Sequence, residues 1–339
     1  MIETVRAEDL RETVVTATLD VPVEHGKGLV FCSTFQLAWN ELRTALGGSV
    51  ALEGDPPLAA ALSSSEVSRD DVDDASFLAG AGDGPKFLAA LRADLEKKFG
   101  ESQAAAFGLP PSLKPLQLLA YAYLSKNLRF STPFAVEREF GLRFDGALLS
   151  CFGLWKGAAE ETWEKCEGLV VVHDYADDQD FVVELVTEAH GDRLLLARVA
   201  PKATLLATAA SVMNRAKSSG SFLKRLTSST RLKRDDEFKV PMVRLDVLKS
   251  YAELTPRKIV GWPDHVLVEA RQAIRFELDE KGAILRSSAM LTVARGGPIR
   301  RRRLVFDGPF FLLLVREGRS LPYFAMWVAT PELLEKASN

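Results

Sequence analysis

Two long apolar runs near the C-terminus form the clearest pattern of hydrophobic and polar positions in the chain. Residues 305–315 are almost continuously apolar, and residues 321–329 are apolar again and include three aromatic residues. A polar segment, 316–320, separates the two runs. Runs of this length and composition are typical of strands that are buried on both faces. The pattern therefore predicts a buried β-hairpin.

In the rest of the chain, some segments have the apolar spacing of helices and others have that of strands. Residues 181–199 contain two apolar runs around His190-Gly191-Asp192 and predict a second hairpin. Residues 54–84 are rich in Pro, Ala, Ser, Asp and Gly and predict a mobile connection that contains a short Ala-rich helix. Together the elements predict an α+β chain with helices early and strands late. The predicted helices are 35–46, 85–99 and 203–215, and the further predicted strands are 13–23, 28–31, 116–124, 147–155, 169–172, 240–247 and 266–280.

Composition and charge are those of an ordinary globular protein. The chain is 47% hydrophobic and 26% charged. Its net charge of −3 provides no overall attraction for nucleic acid or for an anionic membrane, so we expect neither as a partner. No apolar run approaches the roughly 20 residues that a membrane-spanning helix needs. The acidic, polar N-terminus lacks the pattern of an export signal, and we expect a cytoplasmic protein.

Cysteine and histidine residues form no recognisable redox or metal motif. Cys32, Cys151 and Cys166 are far apart, odd in number and without a CxxC pair, which favours a reducing compartment over a disulfide framework. The four histidines share no metal-ligand spacing. His173 lies beside several aspartates, but the segment lacks the Gly and the terminal Glu of a calcium loop and predicts a polar surface loop.

No sequence motif indicates an enzyme. Neither GxSxG nor SxxK occurs, and no nucleophile is paired with a base by any known spacing. The glycine-rich segment 80–86 precedes a predicted helix, but no strand is predicted before it, and it fits neither a phosphate-binding nor a dinucleotide-binding motif. It predicts a linker. We therefore expect no catalytic residues, no cofactor and no bound metal.

Two segments are strongly basic. Residues 215–234 contain seven Lys or Arg and no acid, and residues 300–303 are four consecutive arginines. Either segment has the charge to attract an anionic partner. The scarcity of aromatic residues favours a solvated loop for the first segment. The strand that follows the second favours an exposed sheet edge with solubilising charge.

The C-terminal hairpin also carries a motif that resembles the C-terminal signature of serpins. In that signature an aromatic residue, Asp or Asn, a variable residue and Pro-Phe open a buried hairpin, and Phe306, Asp307, Pro309 and Phe310 match it. Gly308 departs from it, because the family usually has a polar or basic residue there. Weaker likenesses follow in the family's order along the chain, among them Trp155-Lys156-Gly157 and the strand-to-hinge segment QAIRFELDEKG at 272–282.

The resemblance implies one serpin-like domain over 1–339. In it, helices pack on a large mixed or antiparallel main sheet, and a second sheet carries the C-terminal hairpin. Residues 283–303 would form an exposed reactive loop that binds a serine or cysteine peptidase. Arg295 and Gly296 would be the bait, since a basic side chain suits a trypsin-like pocket. The implied hinge consists of Glu280, Lys281, Gly282, Ala283, Leu285, Ser287 and Ala289.

A serpin inhibits when its cleaved loop inserts into the main sheet as an extra strand and carries the acylated peptidase with it. Alternate residues of a strand point into the packed face, so the inward-facing hinge residues need to be small. Counted from Gly282, the inward set is Ala283, Leu285, Ser287 and Ala289. Only Leu285 is bulky, and overpacking of this kind costs about 1–3 kcal/mol.

Other features favour a non-inhibitory serpin-fold protein that serves as a binding or scaffold module. The family's polar cluster at the sheet-opening region is replaced by Gln36, Cys151 and Gln272. Between Leu116 and Trp155 the sequence leaves no room for the helix that covers the main sheet in the family. Peptidase inhibitor and binding module therefore both stay open, and the partner is not specified.

Overall fold

The computed structural model describes residues 4–101, 107–125, 128–189, 191–218, 231–282 and 301–337. The α-helices are α1 Thr34–Ala45, α2 Pro57–Ser64, α3 Gly84–Phe99, α4 Glu160–Cys166 and α5 Leu205–Ser218. Short 3-10 helices lie at Ala7–Asp9, Arg69–Asp71, Asp74–Ser76, Glu167–Leu169 and Pro331–Leu333. The strands are β1 Val5–Arg6, β2 Thr13–Thr16, β3 Gly28–Cys32, β4 Phe77–Asp83, β5 Gln117–Leu124, β6 Ala135–Phe144, β7 Ala147–Leu154, β8 Val170–Asp177, β9 Asp180–Leu185, β10 Asp192–Arg198, β11 Glu237–Pro241, β12 Val243–Ser250, β13 Arg257–Ile259, β14 Trp262–Leu278, β15 Arg303–Val305, β16 Phe310–Arg316 and β17 Pro322–Val328.

Six strands form the main sheet, in the order β1-β12-β14-β5-β4, with β13 paired to β14. The strands β12 and β14 are antiparallel, and so are β4 and β5. In the middle of the sheet, however, β14 and β5 run parallel. The parallel pair β14–β5 therefore joins an antiparallel pair of strands on each side, and the short edge strand β1 runs parallel to β12.

Seven strands form the hairpin sheet, in the order β2-β3-β17-β16-β10-β9-β8. The C-terminal hairpin β16–β17 lies at its centre, between β3 and β10, and every residue of β17 is buried. The predicted hairpin of residues 181–199 is β9–β10. Both hairpin predictions are confirmed. The pattern was informative because strands that are buried on both faces have long, nearly continuous apolar runs.

A smaller four-stranded sheet, in the order β15-β11-β7-β6, completes the fold. The main and hairpin sheets pack together, with Phe276 of β14 stacked on Phe324 of β17 at 4.7 Å between ring centroids. The predicted α+β class is confirmed, with helices on a mixed main sheet and the C-terminal hairpin in a second sheet. No helix among the described residues is long and apolar enough to cross a membrane.

The prediction of a mobile connection over 54–84 was wrong for its last part. The Ala-rich helix is present as α2, but residues 77–83 are strand β4 and pair with β5 along their whole length. This strand leads directly into α3, so the glycine-rich segment 80–86 is not a linker. The hydrophobic pattern did not predict this strand, because it consists mainly of glycine and alanine, which are uncommon in strands.

Candidate functional site

The parallel contact between β5 and β14 is the first component of the candidate site. It contains eight register pairs, from Val266 opposite Gln117 to Ile274 opposite Leu124. Four residues after the last of these pairs β14 ends at Leu278, and the chain continues towards the predicted loop. We call this parallel contact the strand joint.

On one side the strand joint is packed against α1. Three side chains on this side are small, namely Ala120 and Ala122 of β5 and Ala270 of β14, and they are buried in one cluster with Phe35 and Trp39 of α1. The larger Leu118 and Leu267, which are paired at the start of the joint, belong to the same cluster. Small side chains here let the helix approach the sheet closely. At these three alanine positions an added strand would displace no large side chain.

Gln272 of β14 is fully buried next to these alanines. Its Nε2 donates to the carbonyl oxygen of Cys32 at 2.8 Å and to Oγ1 of Thr34 at 2.9 Å. Its Oε1 accepts from the Tyr251 hydroxyl at 2.8 Å. Because a buried amide is costly unless it is hydrogen-bonded, these three bonds tie β14 to the start of α1 and to the end of β12.

The other two residues that the serpin resemblance places in one cluster with Gln272 have different surroundings. Gln36 is buried in α1 and donates to the carbonyl oxygen of Leu62 at 2.7 Å. Cys151 lies on β7 of the four-stranded sheet, opposite Pro241 and Glu137, so its predicted place in the cluster was wrong. Burial raises the pKa of the Cys151 thiol to about 11.

The opposite face of the strand joint is covered by α3 and the segment after it. Leu119, Tyr121 and Tyr123 of β5 point to this side and pack with Leu88, Leu91, Leu95 and Phe107. Tyr121 donates its hydroxyl to the carbonyl oxygen of Phe107. The described residues between Leu116 and Trp155 contain no helix, as predicted, but α3, which precedes β5, covers the sheet instead.

The first three residues of the predicted hinge form a tight turn at the end of β14. The amide of Gly282 donates to the carbonyl oxygen of Asp279 at 3.1 Å, and Phe130 and Phe134 donate their amides to Lys281 and Glu280 at 2.9 Å each. At Gly282 φ is +79°, and a Cβ there would lie 2.5 Å from backbone atoms of residues 128 and 130, so only glycine fits.

Glu280 is mostly buried in this turn, and its carboxylate lies 3.5 Å from the Arg138 guanidinium. The other residues of the predicted hinge, Ala283, Leu285, Ser287 and Ala289, and the predicted bait residues Arg295 and Gly296 lie outside the described residues.

The structure describes the chain again from residue 301, and the arginines at 301–303 form salt bridges with acidic side chains. Arg302 is only 11% exposed and contacts the fully buried Asp236 at 2.6 Å, and Arg303 contacts Asp307 at 2.5 Å. The strand β15 is an edge strand, as predicted, but Arg302 is not a solvated charge. Sequence analysis missed this pair because its partners are 66 residues apart.

The serpin-like C-terminal signature opens β16 as expected, and the structure explains its departure at Gly308. Arg198 of β10 is 8% exposed, pairs with Asp307 and donates to the carbonyl oxygen of Val305 at 2.9 Å. A Cβ at Gly308 would lie 2.9 Å from Nη2 of Arg198, so the glycine makes room for the guanidinium. Burial alone raises the pKa of Asp307, but the hydrogen bond from Arg303 and the charge of Arg198 lower it below its usual value.

The segment around His173 differs from the predicted surface loop. His173 lies on β8 with its side chain 3% exposed, and its Nε2 is 2.7 Å from Oε2 of Glu184. Burial alone raises the pKa of Glu184, but the hydrogen bonds from His173 and Arg193 outweigh it and lower the pKa to about 2. In the part of the chain that the structure describes, no group of three or more His, Cys, Asp or Glu side chains is placed to hold a metal ion.

Searches of protein families and of curated proteins find no match to the chain. Solved structures do match. Serine protease inhibitor (serpin) 12 of Manduca sexta is 14% identical over 72% of this chain and 65% of its own, with a TM-score of 0.41. Human thyroxine-binding globulin complexed with its hormone is 14% identical over 76% of both chains, with a TM-score of 0.39. Uncleaved ovalbumin is 10% identical over 90% of this chain and 94% of its own, with a TM-score of 0.44. The solved structures to which this chain is similar thus include serpins, the family that its sequence motifs resemble.

Proposed function

We propose that the chain is a serpin-like protein that binds a serine or cysteine peptidase through residues 283–303, with Arg295 in the specificity pocket. The proposal is carried by the strand joint. The strands β5 and β14 are parallel, and the segment that leaves β14 is the one with the predicted bait.

A segment that leaves β14 and reverses direction would run antiparallel to both β14 and β5. Its insertion would replace one parallel ladder by two antiparallel ladders, which are slightly more stable per residue. If the chain turns at 279–282, residue 283 would lie opposite Leu278, and the segment would reach the eight register pairs of the joint at about residues 287–295. In that register Ala289 would lie next to Ala122, and residue 291 would lie next to Ala120 and Ala270, which are small. Overpacking by Leu285 would cost about 1–3 kcal/mol, less than a whole added strand contributes.

The turn at the hinge favours a second candidate function, a non-inhibitory binding module. Insertion has to break the bonds that Phe130 and Phe134 donate to Lys281 and Glu280. Each such hydrogen bond contributes about 0.5–1.5 kcal/mol. The chain also has to leave the close contact at Gly282. In this second function the segment 283–303 would bind a partner without entering the sheet.

Incubation with trypsin separates the two functions. In the inhibitory reaction the peptidase serine Oγ attacks the Arg295 carbonyl carbon, the bond to Gly296 breaks, and the amine of Gly296 takes up a proton. The acyl bond to the peptidase then persists, so we expect a complex that survives boiling in detergent. The substitution Arg295→Ala should abolish it. Ser287→Arg should permit cleavage but prevent the complex, because it places a charge on the inward face. Arg286→Ala removes a basic side chain from the same segment and should leave the complex intact.

A thermal melt of the cleaved chain completes the test. If the segment inserts, the melting temperature should rise well above that of the intact chain. One cut after Arg295 with no complex and an unchanged melting temperature would reject inhibition and support the binding module. Cleavage at many sites throughout the chain would contradict both functions.

A further inference from the structure

A cleft of about 790 Å³ lies at one end of the hairpin sheet, where several strand connections meet. It uses no residue of the strand joint or of the segment 283–303. Its volume is in the range of sites that hold one small molecule. The connections that form it contribute, among others, His25, Asp145, Gln179, Pro201, Pro309 and Thr330.

One wall of the cleft is apolar. It includes Val23, Val199 and Pro201, and Trp327 and Ala329 at the end of β17, which are 5% and 9% exposed. Trp327 is held in place by packing against Phe311 of β16, with 6.4 Å between ring centroids. A fixed indole in a concave wall is a surface on which a flat or aliphatic ligand body can pack, and its π-face also attracts cations.

The charge inside the cleft is acidic. Arg198 is the buried cation, and Asp307, Gln179 and the Val305 carbonyl already accept its hydrogen bonds. Two further carboxylates, Glu24 and Asp145, line the cleft and have exposed side chains. Neither has a salt bridge to any described residue.

A polar atom without a partner also lies at the cleft. Oγ1 of Thr330 is buried and has no hydrogen-bond partner among the described residues. A buried hydroxyl without a partner is costly, and a ligand group at this position would remove that cost.

We infer that this cleft binds a small organic cation with an apolar body and a basic amine. The body packs on Trp327 and the neighbouring apolar wall, and the ammonium group pairs with Glu24 and Asp145. The Thr330 hydroxyl accepts a hydrogen bond from the ammonium group. A carboxylate ligand is disfavoured, because Asp307, Gln179 and the Val305 carbonyl already accept the hydrogen bonds of Arg198, and because Glu24 and Asp145 would repel a second anion.

Two fluorescent probes of opposite charge test whether the cleft prefers a cationic ligand to an anionic one. Dansylcadaverine has an aromatic ring system and a five-carbon chain that ends in a primary amine, and dansyl-6-aminohexanoate has the same ring system and chain length but ends in a carboxylate. The amine should show a saturable rise in fluorescence on titration with the full chain, and the carboxylate should not. Added salt should weaken binding of the amine. No saturable binding of the amine up to about 1 mM, the weak end of specific affinity, would overturn the inference.

Variants locate the binding to the cleft. The double substitution Glu24→Gln and Asp145→Asn should weaken dansylcadaverine binding about tenfold or more, which corresponds to about 1.4 kcal/mol. Ala200→Trp fills the cleft and should abolish binding. The control Glu253→Gln with Asp264→Asn neutralises two exposed acids elsewhere and should leave the affinity unchanged. Equal binding of both probes, or full binding by Ala200→Trp with an unchanged thermal melt, would overturn the inference.

Discussion

Replacing Gln272 tests the buried hydrogen bonds beside the strand joint. Methionine has a similar length and volume but leaves the Tyr251 hydroxyl, the Cys32 carbonyl and the Thr34 hydroxyl without the amide. An unsatisfied buried group costs about 1–3 kcal/mol, while Thr34 keeps a contact to Sγ of Cys32 at 3.3 Å. We therefore expect Gln272→Met to lower the free energy of unfolding by about 2–4 kcal/mol in total.

Urea unfolding followed by circular dichroism measures this change, provided that the m-value stays constant. Arg275→Met is the matched control, because Arg275 lies on the same strand with its side chain about half exposed. It should change the free energy of unfolding by less than about 0.5 kcal/mol. Equal effects of Gln272→Met and Arg275→Met would refute the importance assigned to the buried amide.

A double-mutant cycle with Tyr251→Phe isolates the bond between the two side chains. Each single substitution leaves one buried partner unsatisfied, whereas the double substitution removes both partners. The double variant should therefore be less destabilised than the sum of the single variants, by about 1–2 kcal/mol. Effects that add within about 0.5 kcal/mol would show that the bond between Tyr251 and Gln272 contributes nothing of its own.

Three further predictions concern other buried groups. Since the pKa of Glu184 falls from 4.5 to about 2 on folding, its stabilisation is complete above pH 4.5 and is lost as the pH falls towards 2. Glu184→Gln should thus be about 3 kcal/mol less stable than the wild type at pH 6, and the gap should close towards pH 2 in urea melts; a gap independent of pH would contradict this. Gly308→Ala should cost about 1–3 kcal/mol, because its Cβ would contact Arg198, whereas Gly168→Ala, with open space around it, should be neutral in the same melts. All three cysteines are free and buried, so a thiol reagent should label them only when the chain unfolds, and rapid labelling of the native chain would disprove their burial.

The elements that sequence analysis predicted correctly are those whose signal is local. The helices α1 and α3 end near Gly47 and Gly100, and the strands β16 and β17 are continuous apolar runs. In each case the residues that determine the element are contained within it. Short-range periodicity was therefore sufficient.

What the sequence did not reveal depends on distant contacts. Strand β4 is made of small residues and exists because β5 pairs with it and α1 and α3 pack nearby. The burial of Arg198 and Arg302 depends on Asp307 and Asp236, which are remote in the sequence. The sequence around a charged residue does not indicate a partner that is distant along the chain. The cleft near Arg198 was not predicted either, because its residues come from several distant segments.

The central position of the C-terminal hairpin has a consequence for biosynthesis. The strands β16 and β17 are synthesised after the other five strands of the hairpin sheet and separate β3 from β10, so this sheet cannot close until residues 310–328 have left the ribosome. Until then both neighbours present unpaired, apolar edges, which are prone to associate with other chains. A ribosome that stops before residue 310 would release a chain with two such edges. The hairpin of residues 310–328 therefore protects the nascent protein from aggregation, because it pairs with both of these edges.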